Sequence, residues 1–184
     1  MRQKEIKLGF IPIKRKAFDL QVPIDQKYAI EKKVKEILPE PVELVDCNDL
    51  APDGLIFEID DIEKVVAKMK ANDVDGIFLP HCNFGTEEIA IRVAKQLKVP
   101  VLLWGERDVE PVPGIVRLQD TQCGLFATSK GFLNAHIPFS YIVNCYLNED
   151  RFVKGFLEFI SVISIVRTFR KKMRILYIGN RPRP

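Results

Sequence analysis

"GIFLPHCNFGTEEIAIRVAKQLKVPVLLWG", Gly76 to Gly105, carries the reading on which the rest depends. Gly76 to Pro80 is a short, unbroken apolar run of strand length. Beyond it Ile89, Ala90, Val93, Ala94 and Leu97 recur on one face of a helix, and Val99 to Gly105 is a second apolar run. Strand, helix and strand in that order make a right-handed βαβ unit with parallel strands. The runs are continuously hydrophobic instead of alternating, which is what a sheet covered on both faces requires.

The same alternation extends outward in both directions. Upstream, Lys7 to Ile13 and Val42 to Cys47 read as strands; downstream, Phe139 to Asn144 does. Ile30, Val34, Ile37 and Leu38 share a face of a first helix, and Ile62, Val65, Val66 and Met69 share a face of a second. Thr121 to His136 reads as a helix around Leu125, Phe126, Phe132 and Leu133, although Gly124 and Gly131 count against it. Asp150 to Lys172 reads as a long helix with Phe152, Phe156, Ile160 and Ile163 at helical spacing and Arg170, Lys171 and Lys172 at its C-terminus. The predicted fold is α/β, a doubly wound, mostly parallel sheet in a flavodoxin- or Rossmann-like three-layer sandwich.

Arg174 to Gly179 reads as one more strand, followed only by "NRPRP". A strand after a long helix should feed another loop and helix. The expected organisation is therefore one domain over residues 1–172 and the start of a second over 173–184.

Composition narrows the function classes. With 47% hydrophobic and 29% charged residues among 184, the chain suits one globular domain. Its 28 basic residues against 25 acidic ones, a net +3, fall short of the excess expected of a nucleic-acid binder. No run approaches the roughly 20 apolar residues of a membrane span, and "MRQKEIKLGF" has no apolar leader core, so the chain reads as cytoplasmic. Cys47, Cys82, Cys123 and Cys145 form no CxxC pair and read as buried or pocket thiols.

In an open parallel sheet, ligands bind beyond the carboxyl ends of the strands where the strand order reverses. With the order 2-1-3-4-5, the loops after the first and third strands flank that crevice. These are "KRKAFD", Lys14 to Asp19, and "HCNFGTEE", His81 to Glu88. Lys14, Arg15 and Lys16 supply donors for an anionic or hydroxyl-rich ligand, and Asn83 and Thr86 bond hydroxyls in either direction. Gly85 allows a sharp turn, Thr86 is placed as an N-cap, and Glu87 and Glu88 fall in the first helical turn, where they suit the dipole. His81 and Cys82 raise a cysteine nucleophile or, with Glu87, a metal site. Consecutive strand residues point to opposite faces and no third ligand is evident, so both readings are weak.

"GxGxxG" does not follow the first strand, and "GxxxxGK" and "GxSxG" are absent, so dinucleotide, P-loop and α/β-hydrolase readings lack their main support. Trp104 ends the fourth strand beside the crevice, with core packing and sugar stacking both open to it. Arg107 and Asp108 follow on the same rim, where a mutual ion pair accounts for them.

The order of "FIPIKRKAFD", "DGIFLPHCNFGTEEIA", "VPVLLWGERD", "RLQDTQCG", a phenylalanine-tyrosine strand and "ILYIGNRPRP" resembles the amino-terminal part of the L-fucose and L-arabinose isomerase family, its fucose-isomerase-like members above all. The resemblance implies a metal-dependent, usually manganese-dependent, aldose–ketose isomerase that forms a homo-oligomer. It implies metal ligands in later domains, so that no metal is bound by this chain alone. Loops of this domain would reach the active site of a neighbouring subunit. On that footing Lys14, Arg15, Lys16, His81, Cys82, Asn83, Thr86, Glu87 and Trp104 are substrate-facing, with a small sugar as partner and neither nucleic acid nor membrane. Cys82 stands near a position where fucose isomerases carry an aromatic residue. A non-enzymatic sugar-binding or regulatory module using the same crevice is the alternative, and a flavodoxin-like electron carrier is a third.

Overall fold

The structure is a computed structural model that describes residues 6–16, 21–110, 119–171, 173–176 and 178–179. Five strands, β1 (Ile6–Phe10), β2 (Val42–Val45), β3 (Gly76–His81), β4 (Val101–Gly105) and β5 (Ser140–Tyr141), form one sheet in the order β2-β1-β3-β4-β5. Every pairing is parallel, from Ile6 against Val42 at one side to Leu103 against Tyr141 at the other. The helices are α1 (Gln21–Ile37), α2 (Ile62–Ala71), α3 (Glu87–Leu97), α4 (Thr121–Asn134) and α5 (Asp150–Lys171).

Period-two geometry sorts the strand residues between two cores. Ile11, Ile77, Leu79, Val101 and Leu103 pack with Val65, Val66 and Met69 of α2, Val93 of α3 and Phe132 of α4. Leu8, Phe10, Phe78, Leu102 and Trp104 pack with Ile30 and Val34 of α1 and with Phe152, Phe156 and Ile163 of α5. Both sheet faces are thus apolar, which explains the unbroken runs and establishes the doubly wound α/β class.

Three boundaries depart from the sequence reading. Pro12 has no N–H, so the ladder of β1 stops at Phe10 and resumes as single bridges from Ile13 to Ile56 and His81. β5 is a two-residue edge strand instead of the six expected, and Tyr141 and Val143 are exposed there. In α4 the buried face carries Thr121, Gly124, Thr128 and Phe132, while Phe126 and Leu133 are each 67% exposed. Residues 173–176 and 178–179 join no strand, and the remainder of the expected second domain lies outside the described residues, as do Lys172 and Asp19. Among the described residues no helix is long and apolar enough to cross a membrane.

Candidate site at the carboxyl ends of β1 and β3

The strand order puts the loops after β1 and β3 side by side, and one side chain locks them together. Asn83, fully buried, accepts hydrogen bonds through Oδ1 from Arg15 N (2.8 Å) and Gly85 N (3.0 Å) and donates through Nδ2 to Arg15 O (3.0 Å). Thr86 stands at the N-cap position of α3, yet its hydroxyl donates to Lys14 O (2.9 Å) and caps nothing. The guanidinium of Arg15 is paired with the Glu87 carboxylate and lies 4.1 Å from the centre of the Phe84 ring. Glu87 therefore serves a tertiary ion pair as well as the helix dipole, whereas Glu88 pairs with Arg92 one turn on.

His81 and Cys82 point to opposite faces, as strand geometry requires. The His81 ring is fully buried, with Nδ1 2.8 Å from Phe84 O and Nε2 3.3 Å from Thr128 Oγ1. A carbonyl only accepts, so Nδ1 carries the proton and Nε2 accepts from the hydroxyl. Burial pushes the imidazole down to about 4, and the charge of Arg15 opposes protonation further, while the Phe84 carbonyl acts the other way. At neutral pH His81 is a neutral strut tying β3 to α4. Cys82 lies in the α1 and α5 core, and burial pushes its thiol well above the ordinary range, away from the thiolate a nucleophile needs. Burial also raises the other two core thiols, Cys47 to about 12 and Cys145 above its ordinary value.

Gly85 is required twice. Its φ is +75°, and a Cβ there would stand 2.5 Å from His81 Nδ1. The loop can fold over the imidazole only because that position is bare.

Of the three cations on the first loop, Arg15 and Lys16 are ion-paired, with Glu87 and Glu58, and Lys14 is not. Lys14 is only 6% exposed, and its ammonium lies 4.7 Å from the centre of the Phe57 ring with no side-chain hydrogen bond or ion pair among the described residues. Lys16 approaches the same ring at 5.0 Å and pairs with Glu58. Phe57 was not among the sequence candidates. The Ile13–Ile56 bridge, with Ile56 N bonded to Pro12 O and Lys14 N to Ile56 O, carries it there. No local pattern signals a contact formed across that much chain.

The rim continues from β4. Trp104 is fully buried, its ring 4.5 Å from that of Phe152, so it belongs to the core. Arg107 and Asp108 are not each other's partners in the structure. Asp108 accepts from Thr121 N (2.8 Å) and Gln122 N (3.1 Å) and so caps α4, while Arg107 faces Glu149 and donates to Asn144 O. Glu106 accepts from Gln26 Nε2, and Gln26 accepts in turn from Gln119, which ties α1 to the approach to α4. No three His, Cys, Asp or Glu side chains converge on a point among the described residues, and both nitrogens of His81 are engaged. These residues do not make a metal site.

Residues 9–170 match the family described as fucose/sulfoquinovose isomerase, N-terminal domain. No curated protein matches the chain. Among solved structures, an FMN-dependent NADH-azoreductase from Bacillus anthracis str. Ames Ancestor in complex with FMN is similar over 87% of this chain and 99% of that one, at 11% identity and a TM-score of 0.37.

Proposed function

Because the chain belongs to the fucose/sulfoquinovose isomerase family as its N-terminal domain, we propose that it supplies substrate-facing loops to a metal-dependent aldose–ketose isomerase. In this reading the metal ligands and the acid–base groups that move hydrogen between C1 and C2 lie on other domains of the full-length protein. The active site forms between subunits of a homo-oligomer. Among the described residues no three His, Cys, Asp or Glu side chains could hold that metal.

The observation that carries the proposal is Lys14. A lysine this buried ordinarily has an anionic partner, and among the described residues this one has only the face of Phe57. It stands at the carboxyl edge of the sheet, where ligands of open α/β sheets bind. Its ammonium offers three donors to sugar hydroxyls or to a sulfonate, and Arg15, held by Glu87, Phe84 and Asn83, gives the neighbouring backbone one conformation. These groups bind and orient.

The test is aldose-to-ketose conversion by the full-length protein with manganese, over L-fucose, L-arabinose and sulfoquinovose. Conversion that stops with a chelator supports the isomerase. Lys14→Ala should then raise KM for the preferred sugar about tenfold, the loss of roughly 1.4 kcal/mol of binding, with kcat little changed. An unchanged KM removes Lys14 from the site. No conversion of any sugar by folded full-length protein transfers the crevice to the non-catalytic sugar-binding alternative.

A further inference from the structure

At the opposite end of the sheet from these loops, a groove of about 540 Å³ opens between the C-terminal ends of α3 and α4, the beginnings of β4 and β5, and the last turns of α5. Its size is that of a small-molecule site, about 300–1,000 Å³. Val101, Ile137, Phe139, Val162 and Val166 give it an apolar lining.

Its charge is one-sided. Lys95, Lys98 and Arg170 line the groove, and no carboxylate does. On the neighbouring turns of α5 the cations are matched: Lys171 binds Asp73 and Asp75, and Arg167 stands 3.2 Å from Asp75. Lys95 and Lys98 make no ion pair and no side-chain hydrogen bond among the described residues. Arg170 donates from one terminal nitrogen to Lys98 O (2.9 Å), which fixes the guanidinium at the mouth with the rest of its fork uncommitted. Nearby, Val162, Ile165 and Phe169 leave apolar surface exposed along α5.

We propose that this groove binds a small organic anion with an apolar body. Its carboxylate or sulfonate meets Lys95, Lys98 and Arg170, and its aromatic or aliphatic part rests on Val162, Val166 and Phe139. Charge complementarity selects the anion, because it gains the attraction of three exposed cations that a neutral ligand does not, and a cationic ligand would be repelled. The site is separate from the strand-end loops and does not depend on the isomerase reading.

The experiment uses the full-length protein and two fluorescent probes of similar shape, the anion 8-anilinonaphthalene-1-sulfonate and the neutral N-phenyl-1-naphthylamine. The expected result is saturable one-to-one binding of the sulfonate, at least tenfold tighter than the neutral probe. Lys95→Glu/Lys98→Glu should weaken the sulfonate at least tenfold, while Lys64→Glu/Lys70→Glu on the exposed face of α2 should not. Circular dichroism confirms that both variants fold. Slowed amide exchange on saturation should be confined to residues 94–101, 135–140 and 162–170. Equal affinity for the two probes, or an unaffected groove variant, overturns the proposal. So does absence of binding because another part of the full-length protein covers the groove.

Discussion

Asn83 accepts two hydrogen bonds from the chain and donates one to it, bonding Arg15 N, Gly85 N and Arg15 O from a fully buried position. Removing it strands two donors and an acceptor in a partly dry loop junction, and each orphaned group costs about 1–3 kcal/mol to the extent that water cannot replace the partner. Arg15 is only partly buried, so Asn83→Ala should cost about 3 kcal/mol, read as a lowered urea midpoint with unchanged slope. A loss under 1 kcal/mol would mean that water fills the junction. The sequence showed that Asn83, Gly85 and Thr86 sit on a turn into a helix. It could not show where their hydrogen bonds go, because Arg15 and Lys14, their partners, are brought in by the β1–β3 pairing and not by proximity along the chain. Lys14 was visible as a cation at a strand end, but not its burial or Phe57 beside it.

Among the elements, α4 was the hardest to read, and the structure says why. Two glycines in a helix each cost about 1 kcal/mol relative to alanine, which made the segment look irregular. At Gly124 a Cβ would fall 1.7 Å from Phe84 O, the carbonyl that holds His81 Nδ1. The helix needs a bare position there because the β3–α3 loop lies directly on it. Gly131 differs, since its Cβ would meet the movable end of the Ile91 side chain at 2.2 Å. Gly124→Ala should therefore destabilise by about 2 kcal/mol or more against its helix propensity, as overpacking against backbone does. Gly131→Ala should stay within about 1 kcal/mol of the parent. Equal thermal midpoints for the two variants would show that the loop yields at Phe84. The strands were easier: both faces of β1, β3 and β4 are covered, so their hydrophobic runs are unbroken, whereas β5 at the edge lacks that signal and shrinks to two residues.

Across the whole molecule, two buried groups should divide the acid response into separate pH windows. His81 stays neutral in the fold down to about 4, against an ordinary imidazole value of 6.5. Between those values the unfolded chain binds a proton that the folded chain refuses, so stability falls as the pH drops from about 6.5 to about 4 and then levels off. At 1.36 kcal/mol per unit the fall approaches about 3 kcal/mol. Glu31 acts lower down. Burial alone would raise its carboxyl, but Lys27, Lys35 and Asn48 together outweigh burial and hold it below the usual 4.5. Its contribution is present above the ordinary carboxylate value and is lost as the pH falls through the depressed one. Urea midpoints for the parent and His81→Asn separate the two. The variant starts from lower stability, having lost the Phe84 and Thr128 bonds, but its stability should change less between pH 6.5 and 5, and the two curves should run parallel below pH 4. If His81→Asn loses stability between pH 6.5 and 5 as steeply as the parent, the imidazole is not the group that titrates in that window, and Glu31, whose carboxyl is held below 4.5, does not account for the slope either.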